Sequence, residues 1–138
     1  MLDLSKFYEY FYSARRKFSD GFSYLLSFFF IRLYFIILLG FNLFVWLVVY
    51  LININVSQDL VILHYNIDFG VDLIGGVKGL YIIPTLSLIV ILINGILLFP
   101  FCHRKDFKFL AHLLLAASLA VNLFLLIALG SIYLINFS

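Results

Sequence analysis

Residues 33–52 read LYFIILLGFNLFVWLVVYLI and contain no charged side chain. As an α-helix these twenty residues would rise about 30 Å, which matches the hydrocarbon thickness of a bilayer. Arg32 stands immediately before the run, where a guanidinium can reach the headgroups while its stem stays in apolar surroundings. We therefore predict a first transmembrane helix at residues 32–52.

Two more runs without Asp, Glu, Lys or Arg follow, at residues 80–101 and 109–135. Lipid offers no hydrogen-bond partner to an open backbone, so such runs must be helical. The loop at 102–108 is short enough to join them as an antiparallel hairpin. The sequence thus predicts an all-α integral membrane protein with three transmembrane helices.

The composition excludes most other classes of protein. Hydrophobic residues make up 65% of the chain and charged residues 12%, whereas soluble domains have roughly 45–50% and 25%. A net charge of +2 without a basic face argues against nucleic-acid binding. Cys102 is the single cysteine, so an intrachain disulfide is impossible.

Basic residues predict the orientation, because cytoplasmic loops are enriched in Lys and Arg. Lys78 alone falls in the loop at 53–79, and the remaining basic residues belong to the other side of the membrane: Lys6, Arg15, Arg16, Lys17, Arg32, Arg104, Lys105 and Lys108. We expect a bacterial cytoplasmic (inner) membrane protein with the N-terminus and the 102–108 loop inside. The 53–79 loop and the C-terminal tail at 136–138 then lie outside.

Residues 1–31 precede the first span. Apolar and aromatic residues recur there near the helical period, with charged residues between them. Two interpretations stay open: an amphipathic helix lying in the membrane interface, or a cytoplasmic extension of the first span. In the first case Gly21 is the expected bend.

Each span carries one asparagine, at Asn42, Asn94 and Asn122. A carboxamide in hydrocarbon needs a partner, so we predict that these residues hold the helices together. Small residues favour close approach in the third span, which is also the candidate surface for a homo- or hetero-oligomer; they are Ala116, Ser118 and Ala120. Ser118 and Asn122 are four residues apart and share a helix face.

The 53–79 loop carries several polar residues, among them His64, Asn66, Asp68 and Asp72. Their spacing matches no metal motif, and hydrogen bonding within the loop is the simpler interpretation. No nucleophile with a nearby base and no phosphate-binding glycine loop is evident. We therefore predict no catalysis, no metal and no cofactor.

The same loop resembles the first extracytoplasmic loop of the SdpI-type bacterial membrane proteins. The resemblance covers roughly residues 42–100 and is carried by these positions: His64-Tyr65-Asn66, Gly70, Asp72, Gly75-Gly76, Lys78 and Pro84. Some members of that family are immunity or signal-receptor proteins. The resemblance implies that His64, Asn66, Gly70, Asp72 and Lys78 form a recognition loop.

Three hypotheses of function follow. The first is a small non-catalytic membrane subunit that presents the outer loop to a partner. The second is an SdpI-like receptor or immunity protein that recognises an extracytoplasmic peptide. The third is a minimal transporter, which is disfavoured because no span has a charged residue in its core.

Overall fold

The computed structural model describes residues 4–56, 59–66, 68 and 70–137. Its helices and strands, in chain order, are α1 (Leu4–Ser27), α2 (Phe29–Asn55), β1 (Leu60–Asn66), β2 (Gly70–Gly76), α3 (Ile82–Leu97) and α4 (Phe107–Phe137). Short 3-10 helices flank α3 at Val77–Tyr81 and at Phe99–Phe101.

Three helical segments are long and apolar enough to cross a membrane: Phe29–Asn55, Val77–Phe101 and Phe107–Asn136. They confirm the prediction of an all-α membrane fold with three spanning helices and an N-terminal helix. Only 28%, 33% and 22% of their most apolar windows are buried within the protein. Most of their apolar surface therefore faces outward, as a helix surrounded by lipid requires.

The N-terminal helix is separate from the first span. The chain bends at Phe28, which is extended (φ −81, ψ 119) between α1 and α2. The Ser27 hydroxyl bonds to the Tyr24 carbonyl at 2.6 Å, so a side chain competes for a backbone acceptor where α1 ends. Gly21, where we expected the bend, lies inside α1 and faces Phe99: a Cβ there would be 3.1 Å from the Phe99 ring.

The spanning helices pack as an antiparallel bundle with two apolar clusters. The buried positions of α2 recur mostly three and four residues apart, the spacing of left-handed helix packing, at Ile31, Leu38, Asn42, Val45, Val49 and Ile52. One cluster includes Leu38, Ile91 and Leu115, and the other includes Val49 and Leu129. Between the clusters lies a layer of buried polar residues.

The loop at 53–79 contains a two-stranded antiparallel hairpin, an addition to the predicted helices. Leu60 pairs with Gly76 and Asn66 with Gly70, with irregular register near His64. Gly70 has φ +78, a conformation that only glycine adopts without strain. Below, the hairpin end of the bundle means β1, β2, the 3-10 helix Val77–Tyr81 and the last turns of α2 and α4. The turn end means α1 with residues 102–106.

Candidate functional site

Three side chains from three different helices meet in the middle of the bundle. The Asn42 amide of α2 donates to the Ser87 hydroxyl of α3 at 2.7 Å and to the Pro84 carbonyl at 2.9 Å. The Ser87 hydroxyl in turn donates to the Asn122 side-chain carbonyl of α4. Ser87 therefore links α2 to α4, because it accepts from one asparagine and donates to the other.

A second set of hydrogen bonds joins α3 to α4 next to the first set along the two helices. The Asn94 amide donates to the Ser118 hydroxyl at 2.8 Å, and that hydroxyl donates to the Leu114 carbonyl at 3.2 Å. The Asn122 amide donates to the Ser118 carbonyl at 2.8 Å, which connects the two sets. We call the five residues Asn42, Ser87, Asn94, Ser118 and Asn122 the polar layer.

Four of the five residues of the polar layer are buried, and Asn94 is half-buried. Ser87, Ser118 and Asn122 are 0% exposed and Asn42 is 3% exposed. Among the described residues, no buried side-chain nitrogen or oxygen lacks a hydrogen-bond partner. None of its members carries a charge, so its chemistry is suited to holding helices in register rather than to moving protons.

The structure brings Asn42, Asn94, Ser118 and Asn122 to helix contacts, but serines mediate them. Within the described part of the chain, no hydrogen bond joins two of the three asparagines directly. Sequence reasoning missed Ser87, although it precedes Asn94 by seven residues, two helical turns, and so shares its face. That spacing is the signal that could have identified it.

Ala116 and Ala120 behave differently from the polar layer. Both are exposed on α4, whereas Ser118 between them is buried. Neither alanine therefore lies in a buried helix contact within this chain. Their contact with another chain stays a prediction. Close approach occurs instead at Gly95, where an added Cβ would lie 3.2 Å from the Phe35 ring of α2.

A half-buried asparagine near the end of α4, Asn136, anchors the hairpin to the bundle. The Asn136 amide of α4 donates to the Ile62 carbonyl at 2.8 Å, and the Ile62 N–H donates to the Asn136 side-chain carbonyl at 2.7 Å. Because both backbone groups of one strand residue are bonded, the side chain takes the place of a neighbouring strand at that point. The outer edge of β1 is thereby tied to the end of α4.

Apolar packing reinforces this anchor. Val61 of β1 is 1% exposed and joins the cluster that contains Leu80 and Leu129. Leu63 packs against the same cluster, and Gly75 leaves room for it: a Cβ at Gly75 would lie 2.5 Å from Leu63 Cδ1. The hairpin is therefore docked on the helices rather than extended away from them.

Three large apolar side chains of the hairpin are exposed. Leu60, Leu73 and Ile74 are 64%, 53% and 58% exposed. Since these residues lie in the connection between spans, their exposed area is not explained by the bundle itself. Exposed apolar side chains outside the spanning segments make the hairpin a candidate interaction site.

The residues of the predicted recognition loop are distributed along the hairpin end. His64 and Lys78 are exposed, the first in β1 and the second in the 3-10 helix that precedes α3. Gly70 begins β2. Asn66 and Asp72 lie on β1 and β2, but their side chains fall outside the part of the chain that the structure describes.

The structure describes most, but not all, of the His, Cys, Asp and Glu side chains of the chain. Among those described, no group of three or more His, Cys, Asp or Glu side chains is placed to hold a metal ion. His112 instead stacks on Phe30, with ring centroids 4.6 Å apart, and approaches the Tyr34 hydroxyl at 3.4 Å. This histidine therefore has a packing role in the structure.

Neither a protein-family model nor a curated protein nor a solved structure matches this chain. The predicted resemblance of the 53–79 loop to SdpI-type proteins accordingly rests on the sequence from His64 to Lys78 alone.

Proposed function

We propose that this chain is a small non-catalytic subunit of a bacterial cytoplasmic membrane, which presents its docked hairpin to a partner protein. In this proposal the N-terminus and the turn end are cytoplasmic and the hairpin end is outside. The orientation rests on Arg32, Arg104, Lys105 and Lys108, which flank the spans at one end.

The observation that carries the proposal is the contrast between the docked and the exposed residues of the hairpin. Asn136 and Val61 hold β1 on the bundle, so the position of the hairpin is defined before any partner arrives. Leu73 and Ile74 of β2, by contrast, are exposed to the surroundings. A rigid, pre-positioned apolar surface binds with a smaller loss of conformational entropy than a flexible loop does.

The backbone supports the same conclusion. β1 is the strand neighbour of β2 in a two-stranded sheet, and Asn136 occupies the opposite edge of β1 at Ile62. The outer edge of β2 is consequently the edge at which a partner strand could add its own hydrogen bonds. Alternate side chains of β2 would then decide which partner fits.

The test is co-purification of a tagged chain in mild detergent, with Leu73→Asp compared against Asn55→Asp. Both variants add one negative charge at the hairpin end, but Asn55 is the last residue of α2 and lies outside the hairpin. We expect a reproducible companion protein to be lost from Leu73→Asp and kept by Asn55→Asp. Equal recovery with both variants would contradict the proposal.

Orientation is tested separately by thiol labelling of intact cells in a Cys102→Ser background. We expect an impermeant maleimide to modify Asp68→Cys and to leave Lys105→Cys unmodified. The reverse pattern would place the turn end outside.

The receptor or immunity hypothesis is the second candidate, because His64 and Lys78 are exposed at the hairpin end as a recognition role requires. Cells producing the chain would then survive an added toxic peptide, and His64→Ala would abolish survival without loss of the protein from the membrane. Transport is less favoured, since the polar layer already satisfies its own hydrogen bonds.

A further inference from the structure

A pocket of about 480 Å³ lies at the turn end, opposite the hairpin. One wall comes from the last turns of α1, with Tyr24 and Phe28. The other wall comes from the turn at 102–105 and the first turn of α4, with Phe107 and Lys108. The pocket therefore exists only because α1 folds back against the connection between α3 and α4.

Its polar lining is basic. Arg104, Lys105 and Lys108 contribute three cations, and His103 adds an imidazole. None of the described residues that line the pocket is Asp or Glu. Asp106 belongs to the same turn but is exposed and does not line it. The first turn of α4 contains no acidic residue, so the positive end of its helix dipole adds to the potential of these cations.

The walls are held in place before any ligand binds. Successive turns close the connection, through Cys102 N–H to the Phe99 carbonyl at 3.3 Å and Arg104 N–H to the Phe101 carbonyl at 2.9 Å. Across the pocket, the rings of Tyr24 and His103 are 5.4 Å apart, and those of Phe28 and Phe107 are 5.2 Å apart. A site with fixed walls loses less entropy on binding.

We infer that this pocket binds the phosphate-bearing headgroup of an anionic phospholipid. The cations suit a phosphate oxyanion, and guanidinium in particular matches its geometry. The aromatic rings suit the glycerol and upper acyl chain, because such rings pack well at the headgroup level. One apolar spanning segment ends at Phe101 and the next begins at Phe107, and the pocket lies between these two ends. The ends of spanning segments are at the depth of the lipid headgroups.

Native mass spectrometry of the full chain, ejected from nanodiscs of equal phosphatidylglycerol and phosphatidylcholine, tests this inference. The wild type is expected to retain phosphatidylglycerol in preference to phosphatidylcholine. The preference should fall about fivefold for each cation neutralised, or on the order of 100-fold in R104Q/K105Q/K108Q. All three side chains are exposed, so the substitutions leave the packed interior intact.

The matched control is R15Q/R16Q/K78Q, which removes the same charge from exposed positions that do not line the pocket. An undiminished preference in the pocket variant, or an equal loss in the control, overturns the inference. Should the triple variant fail to fold, K105Q/K108Q takes its place. The preference of this double variant for phosphatidylglycerol is expected to fall roughly 25-fold. Calorimetry with inorganic phosphate separates the two phosphate sources: saturable binding without phosphatidylglycerol enrichment would overturn the lipid assignment.

Discussion

Asn122 and Asn136 lie on the same helix, and each bonds to the backbone of its own helix, yet the two side chains hold different parts of the fold together. Each donates one amide hydrogen to the carbonyl four residues earlier, at 2.8 Å in both cases. Asn122 then accepts from Ser87 of another spanning helix, whereas Asn136 bonds to the backbone of Ile62 in the hairpin. One joins helices and the other joins a loop to a helix.

The difference between them lies in the solvent that competes for their bonds. Asn122 is 0% exposed in the middle of the bundle, where neither lipid nor water can replace a lost partner. Asn136 is partly exposed at the hairpin end, where water can take over a broken bond. We therefore expect loss of Asn122 to destabilise the whole bundle and loss of Asn136 to loosen the hairpin alone.

Asn122→Leu should have the largest effect. It removes the acceptor of the Ser87 hydroxyl and leaves buried polar groups without partners, which typically costs about 1–3 kcal/mol. The free energy of unfolding can be measured by titration into sodium dodecyl sulfate. Trp46 fluorescence is a suitable signal, since this single tryptophan of the chain packs against Tyr81 with ring centroids 5.6 Å apart.

The control for that measurement is Phe124→Leu, an exposed position on the same helix. It should leave the free energy of unfolding nearly unchanged. If Asn122→Leu were as stable as Phe124→Leu, the polar layer would not be what holds the helices in register.

Asn136→Leu should have the next largest effect, restricted to the hairpin. Two hydrogen bonds to Ile62 are lost, so local opening should become easier by about 1 kcal/mol or somewhat more. Hydrogen exchange of the Ile62 amide should then accelerate roughly tenfold. Exchange within α2 should be unchanged, and a parallel acceleration there would show that the anchor supports the bundle as well.

Gly70→Ala should have a similar effect, at the turn of the same hairpin. The left-handed conformation at Gly70 costs a residue with a Cβ about 1–2 kcal/mol, although the site has open space. Gly79→Ala is the matched control, because its Cβ also meets nothing within 4 Å and its φ is not positive. Faster amide exchange in β1 and β2 is expected for Gly70→Ala only. Equal amide exchange in the two variants would count against a left-handed backbone at Gly70.

Asn94→Leu should have the smallest effect. Its single bond to Ser118 is lost, but that hydroxyl keeps the Leu114 carbonyl as a partner. Interhelical bonds of this kind in membranes average about 0.6 kcal/mol. The same detergent titration should therefore rank Asn94→Leu between Phe124→Leu and Asn122→Leu, and a larger loss than for Asn122→Leu would reverse the proposed order of importance.

Much of this fold could be predicted from residue type alone. Uncharged runs of bilayer length predict spanning helices because unpaired backbone groups in lipid are costly. The ends of the three spanning segments, counted with the 3-10 helices that flank α3, lie within three residues of the predicted bounds. The need of Asn42, Asn94 and Asn122 for partners was equally predictable. Ser118 was also among the predicted contact residues, and the spacing to Asn94 pointed to Ser87. Which serine bonds to which asparagine was not predictable, since several polar residues could meet in different helix rotations.

The sequence by itself determined that the chain has three membrane-spanning helices, because the local cost of exposing backbone or charge to lipid does not depend on distant residues. Only the tertiary structure decided that the chain bends at Phe28, which face of α4 is buried, and that Asn136 bonds to the hairpin. Those outcomes depend on shape and hydrogen bonding between residues far apart in the chain. Ile62 and Asn136 meet because the bundle places the hairpin beside the end of α4. No local sequence pattern contains that information.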